Sequence, residues 1–316
     1  MPALIVHYLY AKDVESTLPP DTLSSEEETL AFRLGAQGSD PYFVRYRGII
    51  QNDRTCHKFA HNMHAEYMTK ALTCLRDNIK TLPQDEQRIG RAFALGMLAH
   101  YLTDSAAHPF IYAEEYALQH ADPSLADTGS EIHAVIEADL DSWLLWEKEQ
   151  EDASSGDASL RALEHTRRIT DAAGALLSQV AFEVFDLNVE PTQYASAIKD
   201  YHHIYNTLEP SGNMVEQAYA GIEGVFRDHS MLQALCHPSI KTQECTSANT
   251  AHHTWKDPNT GKESTDSFGQ VYQTAVDTFP EAAQAFLTGE DLTEVTHHIN
   301  YNGIHLNDEE TEPVRQ

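Results

Sequence analysis

The sequence predicts an all-α protein, and three observations carry that prediction. Apolar residues recur at three- and four-residue intervals along most of the chain, the stripe pattern of amphipathic helices. Runs that alternate apolar with polar and end in hairpin turns are hard to find. Glycine or proline falls just past periodic stretches, where helices stop.

Taken in order, residues 26–34 (EEETLAFRL) read as a short amphipathic helix ended by Gly35. Residues 60–80 place Met63, Tyr67, Met68, Ala71, Leu72, Leu75 and Ile79 on one face, and Pro83 stops that helix. The strongest stretch is 85–107, whose stripe runs Ile89, Phe93, Gly96, Met97, His100 and Asp104. Residues 130–148 form another helix, with Ser130 as its N-cap and Ile132, Ile136, Leu140, Trp143 and Leu144 inward. Further helices are expected at 159–186, 191–206, 213–235, 265–286 and 291–299. Residues 149–159 read as a surface loop and 237–264, rich in turn formers, as an ordered excursion. No composition shift divides the chain, so we expect one helical domain over 1–306 and an acidic, mobile tail over 307–316.

Composition narrows the function. Forty-nine acids against 21 lysines and arginines give a formal charge of -28. Such a chain is repelled by nucleic-acid backbones and anionic membranes, so nucleic acid is disfavoured as a partner. Bound divalent cations invert that field locally. No stretch reaches the roughly 18 apolar residues of a membrane span. The opening MPALIVHYLYAKD lacks a basic n-region, which points to a cytoplasmic location. Four cysteines without CxxC spacing agree with a reducing compartment.

Histidine is the unusual component, with 18 in 316 residues, several inside apolar patterns. His100, Asp104 and His108 follow one another at four-residue spacing and share a helix face. His100 and Asp104 can grip one ion, whereas His108, about 12 Å from His100 along a helix axis, serves another. His133 and Glu137 repeat the spacing, with Asp141 a turn further on and Asp139 off the face. Together with His108 they make a three-ligand zinc site with an open position, the pattern of catalytic zinc. Spacing alone decides little: chance gives about three H-x-x-x-[D/E] pairs and the sequence has four, the others at His253/Asp257 and His305/Glu309. Weight comes from two such pairs lying on strongly apolar helix faces, where an imidazole and a carboxylate are costly without a compensating partner.

Several segments together resemble a known family: MPALIVHYLYAKDV, LGAQGSDPYFVRY, NMHAEYMTKAL, LGMLAHYLTDSAAHPFIY, SEIHAVIEADLDSWLL and NTAHHTWKDPNTGKESTDSF. They resemble the zinc-dependent phospholipase C family of bacteria, which shares its helical fold and three-zinc site with single-strand nucleases. The resemblance implies one zinc on Asp40, His64, His100 and Asp104. Asp104 would bridge to a second, held also by His7 and the amino terminus. The last would take His108, His133 and Glu137. Asp40 has a second implied role, orienting or deprotonating the attacking water. Three points depart from the family pattern. His108 follows Asp104 by only four residues; His61 competes with His64; and the terminus is Met1-Pro2, so that Pro2 would supply the amine after removal of Met1.

The activity implied is hydrolysis of a phosphate ester, a phospholipid or a soluble phosphodiester, by a zinc-activated water. No nucleophile elbow or phosphate-binding glycine loop suggests another route. Tyr8, Tyr42, Phe43 and Tyr46 are candidates for lining a head-group or base pocket. Two alternatives stand: a single-strand nuclease or nucleotidase, and a metal-loaded protein without turnover.

Overall fold

Local sequence explains where the helices begin and end. The computed structural model describes residues 4–45, 51–209 and 234–314, with the backbone alone over 51–53. Helix α2 (Glu26–Gly35) opens on Ser25, whose hydroxyl accepts the Glu28 N–H, while the Glu28 carboxylate accepts the Ser24 N–H. This is a capping arrangement that satisfies donors otherwise left over at a helix start. Helix α8 (Arg167–Phe185) opens the same way on Thr166, whose hydroxyl accepts the Ile169 N–H.

The other α-helices among the described residues are α1 (Leu4–Glu15), α3 (Gln51–Ala65), α4 (Met68–Asn78), α5 (Gln87–Ala121), α6 (Gly129–Glu149), α7 (Asp157–Ala162), α9 (Thr192–Leu208), α10 (Phe268–Thr288) and α11 (Thr293–Thr296). Two short antiparallel strands, β1 (Trp255–Lys256) and β2 (Glu263–Ser264), form the sheet found among the described residues, with Trp255 opposite Ser264. The all-α class is confirmed.

Several boundaries differ from the periodicity, each for a local reason. The 60–80 stretch is two helices, because Tyr67 adopts a left-handed conformation (φ 56°) and gives its N–H to the Glu310 carbonyl. Helix α5 continues through Pro109 to Ala121, although proline withholds one N–H from the ladder. The 159–186 stretch is interrupted between α7 and α8. Helix α1 occupies a segment whose apolar run carries no amphipathic stripe. The helix expected at 213–235 lies outside the described residues but for its last two positions. The expected acidic tail carries backbone hydrogen bonds from the Asn307 N–H to the Glu312 carbonyl and from the Val314 N–H to the His305 carbonyl.

The chain divides into two compact units. The first comprises Met1–Val6, Ala107–Ala162 and His202–Gln273; the second comprises His7–Ala106, Leu163–Tyr201 and Thr274–Gln316. In the second unit α2 and α5 touch backbone to backbone. A Cβ on Gly35 would lie 2.2 Å from the Phe93 carbonyl oxygen, and one on Gly96 would lie 2.1 Å from that of Phe32. Around this contact Phe32, Phe93, Tyr42, Phe59 and Tyr194 are fully buried. Each such aromatic contributes about 2–3 kcal/mol by its burial.

In the first unit, Phe110 packs edge-on against Trp255 and near Phe268, while the Trp143 indole N–H donates to the Gln243 carbonyl. The Asn249 side chain holds the excursion together, donating to the His253 and Asp266 carbonyls and accepting the His253 N–H. None of the described helices is long and apolar enough to cross a membrane.

Candidate metal centre

In the second unit, four elements deliver five buried or half-buried side chains to one place. The sequence LGAQGSDPYF sets up the first of them. Gly38 turns the chain with φ +58°, and a Cβ there would lie 2.0 Å from Cδ2 of His100, so glycine leaves room for that ring. Two residues on, Asp40 opens a 3-10 turn (Asp40–Val44) with Pro41 at its start. Helix α3 supplies His64, α5 supplies His100 and Asp104, and α1 supplies His7.

Asp104 divides its two oxygens. Oδ1 lies 3.1 Å from His7 Nε2; Oδ2 lies 3.4 Å from His100 Nε2 and 3.5 Å from His64 Nε2. Asp40 Oδ1 lies 3.0 Å from His64 Nε2 and 3.8 Å from His100 Nε2. Nitrogen and oxygen ligands about 2.0–2.1 Å from a tetrahedral zinc stand roughly 3.4 Å apart. The observed separations cluster there. Two groups are thereby able to hold a metal ion, His7/His100/Asp104 and Asp40/His64/His100.

The electrostatics fit a cation. His100 is fully buried, and neither of its ring nitrogens has a hydrogen-bond partner among the described residues. Burial drives its imidazole down to about 4 despite the pull of Asp104 and Asp40, leaving a neutral ring with a free lone pair beside two carboxylates. Buried orphan nitrogens are expensive and rare, so this one calls for a partner that the described polar groups do not supply. His64 behaves oppositely. Burial would lower it, but hydrogen bonds to Asp104 and Asp40 raise it to about 10. Burial opposes ionisation of Asp40 too, yet His100 and His64 hold it below the usual carboxylate range.

The first unit has its own group. His133 Nε2 lies 3.2 Å from Glu137 Oε1, and His108 Nε2 lies 3.8 Å from the same oxygen. All three side chains are buried and able to hold a metal ion together. Burial opposes the charge on Glu137, but neighbouring positive charge, with His133 and His108 contributing, keeps it well below the ordinary range. Burial would lower His133, and Glu137 and Glu115 raise it.

Most sequence candidates therefore meet in these groups. Pro2 lies outside the described residues, as does Tyr46. His61 is exposed, so His64 is the histidine of α3 that reaches Asp40. The Asp141 carboxylate takes the N–H groups of Ile5 (3.0 Å) and Val6 (2.6 Å) and the His237 ring nitrogen (2.9 Å). It caps α1. Asp139 accepts from the Ser247 hydroxyl. Of the aromatic candidates, Tyr42 is core, packed edge-on between Phe59 and Tyr194. Tyr8 is buried with Lys12 and Arg33 over its ring, and Phe43 packs on His64 with centroids 5.3 Å apart. Sequence reasoning missed Tyr301, whose ring packs against both His64 (4.8 Å) and His100 (5.5 Å), and Glu115, on the far ring nitrogen of His133. Neither carried a spacing signal.

The family model for zinc-dependent phospholipase C matches residues 6–187, a span that holds every one of the converging histidines and carboxylates. The chain belongs to the zinc-dependent phospholipase C family. No curated protein and no solved structure matches it. For a zinc-dependent phospholipase C, a hydrolase family, buried His and Asp side chains with oxygens and nitrogens at zinc-like separations are a coherent donor set.

Proposed function

We propose that this member of the family hydrolyses a phosphate ester with zinc held by the described groups, three ions in all. One would sit on Asp40, His64, His100 and Asp104, a second on His7 and Asp104, and a third on His108, His133 and Glu137. The single observation that carries the reading is the buried, neutral Nε2 of His100, without a hydrogen bond among the described residues, facing the oxygens of Asp40 and Asp104.

Zinc supplies positive charge to phosphate oxygens and lowers the pKa of a bound water toward about 7. The residues do the rest. His100, kept neutral by burial, presents a lone pair without first losing a proton. Asp104 offers one oxygen to each of two ligand sets and so fixes their spacing. Asp40, held ionised between His64 and His100, is suited to orient the attacking water or accept its proton. The family supports a phosphoester substrate, and the charge of -28 favours a phospholipid head group or soluble phosphodiester over a nucleic acid.

Elemental analysis of the purified protein, paired with hydrolysis of a chromogenic phosphocholine ester and of single-stranded DNA, tests this. About three zincs per chain and turnover of the phosphocholine ester are expected. Less than one zinc per chain would overturn the reading, and cleavage of the DNA alone would replace the phospholipase activity with a nuclease.

A further inference from the structure

Helices α5 and α6 bring a third carboxylate to the group in the first unit. Glu115, on α5, is 6% exposed, and its Oε2 lies 3.2 Å from Nδ1 of His133. The opposite ring nitrogen, Nε2, lies 3.2 Å from Oε1 of Glu137. The imidazole is thus held between two carboxylates on its two nitrogens. That same Glu137 oxygen lies 3.8 Å from His108 Nε2, and the set able to hold an ion is His108, His133 and Glu137, without Glu115.

Space has been made for this arrangement. A Cβ on Gly129, in the first turn of α6, would lie 2.6 Å from Glu115 Oε1. Any other residue there would require the Glu115 carboxylate to shift. In the second unit, His64 meets the same need by another route: its Nδ1 lies 2.8 Å from the Ala60 carbonyl one turn earlier, which turns Nε2 toward Asp40. An imidazole has two tautomers, and an acceptor on one nitrogen leaves the other as the lone-pair donor.

We propose that Glu115 is the positioning residue of this centre: by accepting the Nδ1–H of His133 it fixes the ring so that Nε2 is the atom offered to zinc. Glu115 does not touch the ion. It selects the tautomer, locks the ring orientation and makes the nitrogen a better donor, as carboxylates behind metal-bound histidines do. The inference rests on the proposed zinc reading and goes beyond it in assigning a function to a residue outside the ligand set.

The test compares Glu115→Gln, which keeps an acceptor of the same shape, with Glu115→Leu, which removes it, in the full-length protein. Zinc affinity is read by competition with a chelator, and the His133 ring by long-range nitrogen–proton correlation in the zinc-loaded state. We expect one zinc to weaken by roughly 10- to 100-fold in Glu115→Leu, with Glu115→Gln recovering part of the loss. In the wild type, His133 should show a slowly exchanging Nδ1 proton and zinc on Nε2; that proton should exchange fast in Glu115→Leu. Wild-type affinity in both variants, or zinc on Nδ1 of His133, overturns the inference while leaving the zinc centre standing. A wild-type protein without zinc overturns both. Equal loss of thermal stability in the two variants with unchanged affinity marks a structural role only and also overturns it. If the leucine variant does not fold, the glutamine variant and the nitrogen signature decide.

Discussion

His7 Nε2 lies 3.1 Å from Oδ1 of Asp104, on the side of that carboxylate turned away from the oxygen that His64 and His100 approach. On the proposed zinc assignment this one side chain would serve two ligand sets, and its neutralisation should cost both. Asp104→Asn keeps the shape but replaces one oxygen with an NH2 group, which is no ligand. We expect zinc content to fall by more than one ion per chain and phosphoesterase activity to fall at least ~100-fold. Elemental analysis beside a circular dichroism spectrum checks this, and loss of a single ion would show that the carboxylate does not bridge.

Zinc loading should release protons. Burial works against a charge on His64, but its hydrogen bonds to Asp104 and Asp40 raise it to about 10 and keep it an imidazolium at neutral pH in the metal-free protein. Zinc takes only the deprotonated nitrogen. Adding zinc to metal-free protein near neutral pH in weak buffer should therefore acidify the solution by about one proton per chain or more. Affinity at that site should rise about tenfold per pH unit through this range. A pH-stat titration with no release would show that His64 is already neutral.

The first unit contains a second buried ionic cluster. Burial would lower His237, but Asp141 and Glu209 raise it to about 9. Its ordinary value is about 6.5, so the folded state binds the proton more tightly than the unfolded chain does. The stability gained, on the order of 3 kcal/mol, is fully present below about pH 6.5 and disappears as pH rises through about 9. Urea midpoints measured from about pH 6 to about pH 10 should decline over that window, and the decline should flatten in His237→Gln.

Gly38→Ala should damage folding and metal binding together. Alanine at φ +58° costs about 1–2 kcal/mol by itself, and the new methyl would meet the buried His100 ring. We expect a loss of about 2 kcal/mol or more by urea denaturation, with reduced zinc content. Gly289→Ala shares the positive φ, but nothing lies within 4 Å of its added Cβ. It should show only the backbone cost and bind zinc normally.

Much of this was legible in the sequence because helices advertise themselves. The 3.6-residue stripe located α2, α6 and the start of α5, and four-residue spacing exposed His100/Asp104 and His133/Glu137. His7, Asp40 and His64 come from three other elements and have no fixed spacing, so only the family resemblance pointed to them. Long-range packing left no local trace at all. Tyr301 reaches His64 and His100 from far along the chain, and the pairing of Glu115 with His133 exists only once α5 and α6 lie side by side. The split at Tyr67 was equally hidden, since the group that ends the first helix there is the carbonyl of Glu310.

That carbonyl belongs to a residue easily discarded. Glu310 sits in the run NDEETEPVRQ, whose acidic composition invites trimming before expression. Yet its side chain is buried, takes the Thr69 amide at 3.0 Å and the Thr69 hydroxyl, and lies 3.3 Å from a His298 ring nitrogen. A clone stopped at residue 306 would strip α4 of its anchor and free the Tyr67 amide that separates it from the helix bearing His64. Low yield from such a clone would speak of a missing clasp.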